Sequence, residues 1–72
     1  MNHLSKDQIE ELLSERELEV LAKIAKGLSR VQTAERMSIS VLTYDQHRKN
    51  IRTKLQVKSK ADWARILINF ME

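Results

Sequence analysis

The stretch that decides the fold runs Ser29-Arg-Val-Gln-Thr-Ala-Glu-Arg-Met37, then Ser38-Ile39-Ser40, then Val41-Leu-Thr-Tyr-Asp-Gln-His-Arg-Lys-Asn-Ile-Arg-Thr-Lys-Leu55. It reads as a short helix, a tight turn and a longer basic helix. On the longer helix Tyr44, Ile51 and Leu55 fall on one side, with His47 or Arg48 completing the row. Asp45, Gln46, Lys49, Arg52 and Thr53 fall on the other. From Gln46 to Ala61 there is no acidic residue, whereas Arg48, Lys49, Arg52, Lys54, Lys58 and Lys60 are all cationic. A helix apolar on one flank and cationic on the other, braced by a shorter partner, fits the major groove of DNA.

Working outward, serines mark the helix starts. Ser5 is followed by Gln8, Ser14 by Glu17 and Ser29 by Gln32, the spacing of a capping box; Ser59 with Asp62 is a shorter version. Leu4 with Ile9 and Leu13 with Leu18 are placed as hydrophobic staples, and Ile39 is placed to pack on Tyr44 behind Ser40. These signals predict a lead-in helix near 6–12 and helices near 15–26, 30–37, 41–55 and 60–70. Gly27 is expected just past the end of the second, where a left-handed residue closes a helix. Leu18, Leu21, Ala22 and Ala25 keep the spacing of a buried stripe, widened by Val20 and Ile24.

Composition narrows the function classes. Seventy-two residues form one small core that buries only ~60% of the unfolded surface, which leaves little room for a substrate cavity. With no Pro, one Gly and no Cys, an all-helical domain without disulfides or thiolate metal sites is expected. No apolar run reaches the ~18–20 residues of a membrane span, so a soluble, cytoplasmic protein is expected. Net charge is only +3, but residues 1–19 hold six acids (Asp7, Glu10, Glu11, Glu15, Glu17, Glu19) against Lys6 and Arg16. Such polarity orients a molecule in the field of a polyanion. His3 and His47 are far apart and lack a Cys companion, so no metal site is expected. No Ser-His-Asp set, phosphate loop or carboxylate pair points to catalysis, and neither an enzyme nor a cofactor is expected.

With these residues in place, the chain resembles the LuxR/GerE-type (NarL/FixJ-like) helix-turn-helix domain of bacterial transcription regulators. The matching letters are Leu13-Ser-Glu-Arg-Glu17, Glu19-Val-Leu21, Gly27-Leu-Ser29, Ala34, Ile39-Ser40, Thr43, His47, Ile51, Lys54-Leu55, Val57 and Ser59. The resemblance implies an all-α, four-helix helix-turn-helix domain over 13–72, with residues 1–12 as a short extra N-terminal helix. It implies double-stranded DNA as the partner, the third family helix in the major groove, and a nucleoid-associated regulator, with RNA polymerase a further candidate partner. Such domains commonly end longer chains, so a fragment or a stand-alone regulator are both compatible with this length.

Carried over by position, base reading falls on Asp45, Gln46 and Lys49. Phosphate contacts fall on Ser29, Arg30, Thr43, Arg48, Arg52 and Lys54. Lys49 suits guanine O6/N7 and Gln46 suits adenine N6/N7. Several letters depart from the pattern. Asp45 stands where Lys or Arg is usual; it can accept from cytosine N4 or pair with Lys49 one turn on. Thr33 replaces an aliphatic core residue, Tyr44 a common Val, Ser38 a turn Gly or Asn, and Trp63 a small residue. Val41 and Leu42 suit packing near the turn, or contact with thymine methyl groups. Trp63, Leu67 and Phe70 read as core. Ala64, Ile68 and Met71 form a second apolar row, either a homodimer face on the C-terminal helix or a seat for the lead-in helix through Leu4, Ile9, Leu12 and Leu13. Two rival functions remain: a protein-interaction module that keeps the fold without reading DNA, motivated by Asp45 and Val41-Leu42, and the promoter-reading domain of a sigma factor, which shares the Glu15-Arg-Glu-x-Glu-x-Leu21 opening. Lys54-Leu-x-Val-x-Ser59 and His47 favour the regulator family over the latter.

Overall fold

The computed structural model describes residues 4–71. It contains α1 (Lys6–Leu12), α2 (Glu15–Ala25), α3 (Arg30–Met37), α4 (Val41–Lys54) and α5 (Lys60–Met71), and no strand among the described residues. Local chemistry sets the starts. Ser5, Ser14 and Ser29 each accept from the backbone N–H three residues on, and Gln8, Glu17 and Gln32 each accept from the serine N–H at 2.9 Å. Ser40 opens α4 by accepting from the Thr43 N–H at 3.0 Å. Ser59 opens α5 from the Asp62 N–H, but the Asp62 carboxylate accepts from the Lys58 N–H at 3.1 Å, one residue earlier than a full box requires. Each such cap is worth about 1 kcal/mol.

Three helices end by one device. After α2, Gly27 has φ +88°, the Gly27 N–H donates to the Ile24 carbonyl and the Leu28 N–H to the Lys23 carbonyl. Ser38 (φ 56°) closes α3 and Gln56 (φ 55°) closes α4 with the same pair of bonds, so two side-chain-bearing residues occupy left-handed backbone. The Ser38 turn leads through Ile39 and Ser40 directly into α4, which makes α3–turn–α4 a helix-turn-helix.

Around this pair, α2 packs on α3, α4 and α5, and α1 packs on α5. The core is Ile9, Leu13, Val20, Leu21, Ala34, Met37, Tyr44, Ile51, Leu55 and Ile66. Two expectations shift. The buried stripe of α2 runs through Glu17, Val20 and Leu21, with Leu18 and Ile24 only partly covered. Ala22 and Ala25 instead line a shallow groove with Lys26, Phe70 and Met71. On α5 the deepest residue is Ile66, flanked by Trp63, Leu67 and Phe70. The lead-in helix docks through Ile9 and Leu13, the Asn69 amide donates to the Leu4 carbonyl at 3.0 Å, and the Lys6 ammonium lies 6.0 Å from the Phe70 ring centre. Ala64, Ile68 and Met71 take no part in this docking and stay exposed. The alternative that α1 covers that row is therefore set aside.

Two polar contacts brace the bundle. Glu17 is buried, and it accepts from the Lys54 ammonium at 2.7 Å as well as from the Ser14 N–H. This ties the start of α2 to the end of α4. Arg16 donates to the Met37 carbonyl at 3.3 Å, placing a cation at the negative end of α3 beside the turn.

Candidate nucleic-acid interface

The outer face of α4 carries Leu42, Gln46, Lys49, Arg52 and Thr53, all exposed, opposite the buried Tyr44, Ile51 and Leu55. Lys49 and Arg52 point away from the bundle, and neither side chain enters an ion pair among the described residues. The Gln46 amide nitrogen donates to the Asn50 side chain at 3.0 Å, one turn along the helix. Val41 packs against the core, whereas Leu42 is 78% exposed. The packing role expected for this pair holds for Val41 alone.

Asp45 is half-buried and does not pair with Lys49. Its carboxylate takes both bonds of a side-on pair from Arg30, Nε to Oδ1 at 2.8 Å and Nη2 to Oδ2 at 2.6 Å. Arg30 reaches across from the first turn of α3. The guanidinium holds the Asp45 carboxyl below its usual range, against mild desolvation, and the carboxylate in turn raises the guanidinium. Asp45 is therefore an anion at any physiological pH, with its partner already chosen.

Arg48 lies on the flank of α4 toward α5. It donates to the Tyr44 hydroxyl at 3.2 Å, and its guanidinium carbon sits 5.1 Å from the centre of the Trp63 ring. Tyr44 and Trp63, two departures from the expected letters, together fix one arginine. They lie on different helices, so nothing in the sequence alone pairs them. Arg48 and Trp63 edge a groove of about 520 Å³ that also takes in Arg52, Lys58, Lys60, Val57 and Ser59. Four of those seven residues are cations and none is an acid.

The remaining predicted site residues are spread around this face. The Ser29 hydroxyl and N–H serve the α3 cap, and Thr43 accepts from the Ser40 hydroxyl at 3.0 Å. Lys54 sits on the opposite flank, held by Glu17, with its side chain 43% exposed. Burial acts against the Glu17 charge, but the Lys54 ammonium and the Ser14 cap outweigh it and hold the carboxyl below its ordinary value. His47 is half-buried, and His3 lies outside the described residues. Among the described residues no cluster of His, Cys, Asp and Glu could hold a metal ion, and no helix is long and apolar enough to cross a membrane.

A short capped helix, a left-handed turn and a longer helix with a cationic outer face define a helix-turn-helix domain of the DNA-binding kind. Residues 11–67 match the family described as bacterial regulatory proteins, luxR family, and this chain belongs to it. It is 40% identical to the oxygen regulatory protein NreC of Staphylococcus haemolyticus (strain JCSC1435), over 86% of this chain and 31% of that protein. To NreC of Staphylococcus aureus (strain JH9) it is 47% identical, over 71% of this chain and 24% of the relative. The chain thus spans a third or less of the relatives' length. No solved structure matches it.

Proposed function

We propose that this chain binds double-stranded DNA sequence-specifically to regulate transcription, with residues 41–55 lying in the major groove. Residues 13–72 form the reading unit and residues 1–12 a lead-in, of which α1 steadies α5. The observation that carries this reading is the outer face of α4, where Lys49 and Arg52 stand exposed beside a groove of four cations. Lys49 and Gln46 address base edges. Arg48, Arg52, Lys58 and Lys60 neutralise one sugar-phosphate strand, while Lys54, Thr43 and Ser29, the cap of α3, meet the other. Leu42 is positioned to touch a thymine methyl group. The exposed row Ala64, Ile68 and Met71 pairs with its copy in a second chain, giving a two-fold dimer on an inverted repeat. Membership of the luxR family supports DNA as the partner.

The test is selection of bound duplexes from a random pool by the 72-residue chain. The expected product is a short motif repeated in inverted orientation. Recovery of unenriched sequence would remove sequence-specific reading. A second reading, a protein-interaction module, draws on the 78% exposure of Leu42. Its mark would be a protein footprint on 41–49 together with no affinity for duplex.

A further inference from the structure

The side-on pairing of Arg30 and Asp45 bears on which residue reads sequence. A guanidinium has five N–H donors in a rigid fork. Asp45 takes the Nε proton and one Nη2 proton, at 2.8 and 2.6 Å. The end-on edge keeps one Nη1 and one Nη2 proton side by side, and that edge matches two adjacent acceptors such as guanine O6 and N7. Both side chains remain open to solvent, Arg30 at 53% and Asp45 at 42%, so a duplex reaches them without unfolding anything.

The pair joins two helices rather than forming within one. Arg30 is the first residue of α3, where a cation opposes the helix dipole, and no acid stands in the first turn to offset it. The offsetting carboxylate comes from the far side of the turn, fifteen residues on, and is the only acid in α4. Asp45 has Arg48 and Lys49 as neighbours on its own helix, yet its two-point bond goes to Arg30. A carboxylate on a DNA-facing helix repels phosphate. One committed to a guanidinium leaves a near-neutral unit with a directional donor edge, suited to choosing a base and poor at holding backbone.

Resting on the DNA-binding reading above, we infer that Arg30 is a base-reading residue selecting guanine and that Asp45 is the positioning residue that aims it, so that the Arg30–Asp45 pair reads as one unit.

The test compares the wild-type chain with Arg30→Ala, Arg30→Lys, Asp45→Ala, Asp45→Asn and the double alanine variant. Each is titrated at one salt concentration with the selected duplex and all its single base-pair variants, after thermal melting confirms a folded protein. The expected result is one G·C position where wild type discriminates about 10-fold or more. Both alanine variants lose discrimination at that position alone, the double variant loses no more than either, and Arg30→Lys, charged but without the fork, fails to restore it. A second readout is the Arg30 Nε–H resonance in the free protein, protected in wild type and exposed to rapid exchange in Asp45→Asn. The inference is overturned if Asp45→Ala loses a preference that Arg30→Ala keeps, because Asp45 then reads the base itself. It is equally overturned if both variants weaken all sequences alike, or change nothing. A wild type that binds no duplex would end the DNA-binding reading as well, which distinguishes the two failures.

Discussion

At the scale of single residues, burial and pairing separate side chains that look alike in the sequence. Lys49 and Arg52 stand three apart on one helix, but Lys49 lies near the crest of α4 and Arg52 borders the cationic groove. Lys49→Ala should therefore cost about 1–3 kcal/mol on the preferred duplex and relax specificity. Arg52→Ala should weaken all duplexes about equally and lower the salt slope by about 1, as read by titration at several salt concentrations. Thr33 makes a different point. Its hydroxyl is fully buried and has no hydrogen-bond partner among the described residues, a burden of about 1–3 kcal/mol for a group that water would satisfy. Thr33→Val keeps the shape and removes the orphan, so chemical denaturation should show a gain of about 1 kcal/mol with DNA binding unchanged. The polar letter was visible in the sequence as a departure, but its lack of a partner depends on what surrounds it. The partner of Asp45 was hidden for the same reason. Within one helix Lys49 is the natural candidate, and only the α3–α4 crossing brings Arg30 to the carboxylate.

At the scale of elements, helix starts were legible because cap chemistry involves residues three apart. Serines with Gln or Glu at that spacing located α1, α2 and α3 to the residue. Helix ends were legible where Gly27 stood. The closing turn at Gln56 carries no such mark, since a glutamine in left-handed backbone is dictated by the packing of Val57 against the core and the return of α5. Ser38 and Gly27 give a paired prediction. A left-handed L-residue costs roughly 1–2 kcal/mol, part of which glycine's looser unfolded chain gives back. Ser38→Gly should raise the thermal midpoint by the equivalent of up to about 1 kcal/mol. Gly27→Ala should lower it by a similar amount, even though an added Cβ at Gly27 meets no atom within 4 Å. The covered face of α2 lies part of a turn from the stripe that the apolar spacing predicts, because Glu17 is buried as well as capping. Its burial against Lys54, 37 residues away, rotates the covered face toward Val20 and Leu21.

At the scale of the whole molecule, the Glu17–Lys54 bond links cap, core and α4, and it carries a pH signature. Glu17 has its folded value depressed below the ordinary 4.5. Its stabilising contribution is therefore fully present above about pH 4.5 and is lost as pH falls through the folded value. Thermal melts from about pH 7 to about pH 3 should show wild type losing stability at the acid end, with Glu17→Gln less stable at neutral pH and less sensitive below it. The polarity of charge was evident in the letters, with acids gathered in residues 1–19 and bases in 46–61. What the letters leave open is which cations act together, because Arg48, Arg52, Lys58 and Lys60 meet only where the 57–60 turn and the start of α5 come up beside α4. That convergence makes DNA binding measurable as a counterion effect. Affinity of the 72-residue chain for its selected duplex, measured between 50 and 200 mM salt, should fall by about 10³-fold or more, with a linear log–log slope reporting several phosphate contacts. An affinity that stays level across that range would mean that these cations do not hold DNA.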